Sequence, residues 1–252
     1  MNTTLYFGPM VLAPPFDVTP GNIIAGIMAM FLPLAIFVVV VGLLVISIYY
    51  NHRKEKQRTA DLQRLAEELG FEFLPAGDSS FLANLSGFHL FSQGHAKRLF
   101  NLMRGRTQKL DVSIFDYNYV TGSGKNRHTW HQTVVCFQVD AAYLPTFSLR
   151  PENVWYKIGA WFGYQDINFA GRPVFSKNYL LRGREEEAIR NLFTDEVLAF
   201  YETNLKLSTE GDKEYLLVYR HSVRVEPSAI RTLLEDSLNV VDVFHLRPRD
   251  GF

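Results

Sequence analysis

A run of 34 residues, Val18 to Asn51, carries no charged side chain. Its centre, Ile23–Tyr50, reads IIAGIMAMFLPLAIFVVVVGLLVISIYY. About 20 apolar residues span the hydrocarbon of a bilayer as a helix, so these 28 predict a membrane-crossing helix over 23–50 with room for tilt. A cleaved signal peptide needs a basic leader and a short apolar stretch. Neither is present, since residues 1–52 contain no Lys or Arg. Pro33 removes one backbone donor and predicts a kink. Ala25 and Ala29 form a small-xxx-small pair, and Tyr49 and Tyr50 stand where an aromatic belt is expected.

The flanks set an expected orientation. Arg53, Lys54, Lys56 and Arg58 follow the apolar run against a single Glu55. Basic flanks stay in the cytoplasm, so the N-terminal end is expected outside and the C-terminal end inside a cell membrane. The expected organisation is a short irregular tail over 1–22, a transmembrane helix over 23–50, a basic amphipathic helix over 51–69 and one cytoplasmic domain over 70–252.

Within the amphipathic stretch, Leu62, Leu65, Ala66 and Leu69 fall on one helical face, and Gly70 stops it. The pattern then predicts strands at Phe71–Leu74, around Leu90, and at Leu99–Arg106, Lys109–Val120, Trp130–Val139, Phe147–Arg150 and Tyr179–Arg182. TGSGKNR, 121–127, suits a hairpin loop. Asp78 or Ser79 caps a helix to Leu85, Thr194 caps one to Thr203, and Glu185–Phe193 reads as another helix. Leu205–Ser208 and Tyr215–Tyr219 pair around TEGDK as a turn, and Pro227 opens a helix to Leu238. Hairpins outnumber strand–helix alternations, so the expected class is α+β with a mostly antiparallel sheet and flanking helices.

Residues 59–252 carry 22 Lys+Arg against 24 Asp+Glu, which argues against nucleic acid as a partner. The lone Cys136 excludes an internal disulfide and a cysteine-rich zinc site, and sits where a small buried hydrophobe is expected. His128 and His131 alternate across a strand, and no His-rich metal motif occurs. No metal or cofactor is expected. GSGK at 122–125 lacks the spacing and the strand-to-helix setting of a phosphate loop.

Gly77-Asp78-Ser79-Ser80 and Asp242-Val243-Phe244-His245 resemble the outer blocks of the GDSL-type esterases. That resemblance implies Ser79 as nucleophile and His245 as base, on a parallel α/β sheet. The central Gly-x-Asn-Asp block is missing, and a helix cap explains Asp78 without chemistry. The membrane-tethered Ser hydrolase using Ser79 and His245 is therefore one alternative to the main expectation, and an inner-leaflet lipid-binding module is another. That expectation is a non-enzymatic, membrane-anchored adaptor with a bilayer contact through 23–50 and a protein partner.

Lys97–Lys109 holds basic residues and no acid. Lys97, Arg98, Arg104 and Arg106 are candidates to bind lipid headgroups or an acidic partner, because an anionic leaflet attracts nearby cations. Phe115, Tyr117 and Tyr119 share a strand face, and Trp155, Tyr156, Trp161, Phe162 and Tyr164 crowd one segment. Core and interface remain open for both sets.

Overall fold

The structure, a computed structural model, describes residues 20–108, 110–139, 143–152, 166–204 and 206–247. The aromatic set from Trp155 to Tyr164, the 1–22 tail up to residue 19, and Lys109 lie outside these. The chain divides into two units, Met1–Glu55 and Lys56–Phe252. Helix α1, Pro20–Leu69, supplies residues to both and contains Pro33.

In the first unit, α1 is apolar all round from Phe31 to Tyr50, and nearly every side chain there is exposed. A helix apolar on every side has no polar face to offer water. It is long and apolar enough to cross a membrane.

The second unit is α+β. Its strands are β1 Glu72–Leu74, β2 His95–Thr107, β3 Leu110–Thr121, β4 His128–Gln138, β5 Leu144–Pro151, β6 Tyr179–Gly183, β7 Ser208–Lys213 and β8 Tyr215–Tyr219. They form one sheet in the order β1-β2-β3-β4-β8-β7-β5-β6. Every pairing is antiparallel.

Alternate side chains build two cores. The first face carries Val112, Ile114, Val135, Phe137 and Val218. Leu62, Leu65 and Ala66 of α1 cover it, with α4 (Pro173–Asn178), α5 (Glu186–Leu192), α6 (Asp195–Thr203) and α7 (Ile230–Val243). The second face carries Phe115, Tyr117, Tyr119, Val134 and Cys136 beneath α2 (Ser79–Asn84) and α3 (His89–Ser92). Phe115, Tyr117 and Tyr119 are thus core, with Phe91 edge-on to Tyr117 and Tyr119 stacked on Trp130.

Asp78 caps α2 by accepting from the Ser80 and Phe81 N–H groups, and Thr194 caps α6 through the Val197 N–H. The 121–127 hairpin turns at Gly122, φ +70, where a Cβ would meet the Asn126 carbonyl.

Three local expectations are corrected. Leu90 lies in α3, a single helical turn, not a strand. TEGDK is strand β7 rather than a turn, so its side chains enter the sheet. The C-terminal helix continues past Leu238 to Val243 after a 3₁₀ turn at Pro227–Ala229.

Candidate functional site

Asp116 lies in mid-β3 on the first face, only 1% exposed. Arg58 of α1 donates to it in a fork, Nε to Oδ2 at 2.8 Å and Nη2 to Oδ1 at 2.7 Å. Arg224 donates to Oδ2 at 3.2 Å, Asn101 Nδ2 to Oδ2 at 3.0 Å, and the Thr133 hydroxyl to Oδ1 at 3.0 Å. Burial pushes this carboxyl up. The Arg58 hydrogen bonds and charge, then Arg224, outweigh that and hold it below the usual carboxylate range. Two guanidinium groups against one carboxylate leave the cluster a net +1.

The cluster ties together α1, β2, β3, β4 and the segment after β8. Bidentate geometry fixes the rotation of α1 as well as its position. Thr59 extends the contact by donating to Asn101 Oδ1 at 3.0 Å.

Asn101 also reshapes β2. Its φ is +50, inside a register shift between Phe100 and Met103. An extra residue there reverses which face later side chains occupy. Arg98 pairs with Asn118 and lies on the first face, whereas Arg104 pairs with Ser113 and Arg106 with Asp111, on the second. The four basic candidates are therefore not one patch. Lys97 and Arg98 stand exposed near the 121–127 hairpin, Lys97 within a second bulge at Ala96, φ +50. Arg98 and Arg224 both lie over the Phe100 ring, at 5.5 and 5.3 Å.

Arg104 and Arg106 line a different feature. A groove of about 510 Å³ lies on the second face, bounded by Phe81, Arg104, Arg106, Asp111, Cys136 and Tyr215. Arg104 donates to Asp78 at 2.8 Å and covers the Phe81 ring at 4.7 Å. Arg106 approaches Asp111 at 3.7 Å. Burial pushes the Cys136 thiol up, so it stays protonated and a poor nucleophile.

A second buried carboxylate, Glu210 of β7, accepts from the Tyr219 hydroxyl at 2.7 Å and the Leu90 N–H at 3.1 Å. Arg150 approaches it at 3.5 Å. Burial raises the Tyr117, Tyr119 and Tyr219 hydroxyls, and the Glu210 charge adds to this. These phenols remain neutral, and those of Tyr119 and Tyr219 donate to Gln93 and Glu210. Among the described residues the Tyr117 hydroxyl, the Ser208 hydroxyl and the Gln93 amide nitrogen are buried without a hydrogen-bond partner.

The esterase-like pair is not assembled. Ser79 opens α2 on the second face, and His245 follows α7 on the first. His245 meets Glu196 at 3.4 Å, and Asp242 pairs with Arg247. The sheet is antiparallel where that family's would be parallel. Among the described residues, no three His, Cys, Asp or Glu side chains are placed to hold a metal ion.

Sequence reasoning missed Asp116, Arg224, Glu210 and Arg150. For Asp116 a signal existed: a lone acid in mid-strand between Phe115 and Tyr117. For its partners none did, since Arg58 and Arg224 are 58 and 108 residues away.

No protein-family profile and no curated protein matches the chain. A solved structure does: the crystal structure of the mycobacterial trehalose monomycolate transport factor A, TtfA. The match has a TM-score of 0.55 at 13% identity, over 79% of this chain and 99% of that one. At that identity the likeness is one of fold, and this chain shares the α+β architecture of a transport factor.

Proposed function

We propose that the chain is a single-pass membrane-anchored adaptor, with the 56–252 unit in the cytoplasm, that engages a protein partner and performs no catalysis itself. The supporting observation is the double use of α1. The helix that carries the charge-free apolar run also places Arg58, Leu62, Leu65 and Ala66 in the interior of the α+β unit. The C-terminal part of the same helix, from Arg58 on, is thus built into the folded unit, as suits a protein whose task is to hold a surface at a membrane. The likeness to TtfA makes transport the process to test first. Mild-detergent extraction and affinity capture of the full chain should recover a stoichiometric membrane-protein partner, and a partner-free protein would count against the adaptor reading.

Orientation has its own test. Cys136 is buried, so Cys136→Ala gives a quiet cysteine-free background. In it, Thr4→Cys should react with an impermeant maleimide on intact cells, and Lys125→Cys only after lysis. The reverse pattern would overturn the cytoplasmic placement.

A further inference from the structure

The end of the sheet formed by the start of β2 and the β3–β4 hairpin collects positive charge. Lys97, Arg98, Lys125 and Arg127 are all exposed there, with His128 and His131. From Gly94 to Val139 the only acids are Asp111 and Asp116. Asp111 lies at the far end of β3, and Asp116 is buried between Arg58 and Arg224. The segment after β8 adds Arg220, neutralised by Asp236 at 2.6 Å, and one acid, Glu226, beside Arg64 and Arg231.

This is also the end at which the chain enters the unit. Arg58 and Thr59 contact Asp116 and Asn101, while Phe71, after α1, lies against Gly105. Read backwards from Phe71, the chain therefore runs towards the Lys97–Arg98 end. Asn51–Glu55, only five residues, separate the last residue of the apolar run from Lys56. Even fully extended, that length covers only about 20 Å. Arg53 and Lys54 lie within that stretch with the single acid Glu55, and Lys56 follows it.

We propose that Lys97, Arg98, Lys125 and Arg127 form a face that binds the anionic headgroups of the bilayer holding α1. The charge is one-signed and exposed, and the tether keeps it within reach of a membrane surface. Each basic residue close to an anionic surface strengthens association roughly fivefold, so four act steeply together. Arg104 and Arg106 take no part, because the Asn101 bulge turns them to the other face. The proposal rests on the anchor reading above.

The test uses the full chain in nanodiscs, labelled with a fluorescent donor at Ser123→Cys in the Cys136→Ala background, with an acceptor on the lipid headgroups. Energy transfer should be higher in discs containing about a third anionic lipid than in wholly zwitterionic ones. The difference should vanish in about 0.5 M salt, where screening shortens to several ångströms. It should also vanish in Lys97→Ser/Arg98→Ser/Lys125→Ser/Arg127→Ser. It should persist in Arg64→Ser/Arg106→Ser/Lys177→Ser/Lys206→Ser, which removes the same charge elsewhere. Equal transfer in both lipids, or a difference that survives the first variant, overturns the proposal and leaves the face to an acidic protein. A chain that fails to float with zwitterionic vesicles would instead fail the anchor reading, and this proposal with it.

Discussion

Asp116→Ala should destabilise the 56–252 unit by about 3–5 kcal/mol, the usual cost of breaking a buried ion pair from one side. The substitution leaves Arg58, 8% exposed, and Arg224 facing each other without the carboxylate between them. The Asn101 amide and the Thr133 hydroxyl lose their acceptor as well. Chemical denaturation of the full chain in detergent, followed by near-ultraviolet circular dichroism, measures this. A loss under about 1 kcal/mol would mean that the cluster is solvated and the clamp unimportant. Asp116→Asn keeps the shape and removes the charge, and adds a pH dependence. The carboxyl is depressed in the folded state, so its contribution is fully present above the unfolded value of about 4. That contribution fades as pH falls through the depressed folded value. The gap between wild type and Asp116→Asn should therefore be constant from pH 7 to about 5 and narrow below about 4. A gap that widened on acidification would reverse the assigned sign. Hydrogen exchange at Lys56–Ala60 should rise in both variants, because these residues lose the contact that fixes α1.

What the sequence made legible was local. The α+β class, the apolar span, the Asp78 and Thr194 caps and the 121–127 hairpin each follow from a few adjacent residues. The misread elements depended on partners far along the chain. Leu90 has a strand-like side chain, but its backbone N–H is taken by Glu210 and its ring of neighbours is the second core. The stretch TEGDK has the composition of a turn. It is a strand because β5 and β8 pair with it on either side and Glu210 finds Tyr219 and Arg150. The basic candidates fell apart for a conformational reason. Arg98, Arg104 and Arg106 share even numbers, which an unbroken strand would put on one face. One asparagine at positive φ reverses that phase, and asparagine tolerates the conformation well enough to leave little mark in the pattern.

Glu210 carries the other large expected effect, and it tests the corrected strand directly. The side chain is fully buried and receives the Tyr219 hydroxyl and the Leu90 N–H. Its charge also offsets that of Arg150, which is itself buried and among the described residues is otherwise bonded to the Ser148 hydroxyl at 3.1 Å. Glu210→Ala should cost about 3–5 kcal/mol by leaving that guanidinium uncompensated in a dry core. In a unit of this size each kcal/mol lowers Tm by about 2–4 °C, so a fall on the order of 10 °C is expected. Glu210→Gln retains an acceptor for Tyr219 and should cost less, about 1–3 kcal/mol. The decisive comparison is the pair. If the loss comes from a stranded charge, Glu210→Ala/Arg150→Met should be more stable than Glu210→Ala alone, because the second change removes the group that the first one strands. If the two losses simply add, Arg150 does not depend on Glu210. The lost acceptor for the Leu90 N–H and the Tyr219 hydroxyl would then have to account for the whole effect.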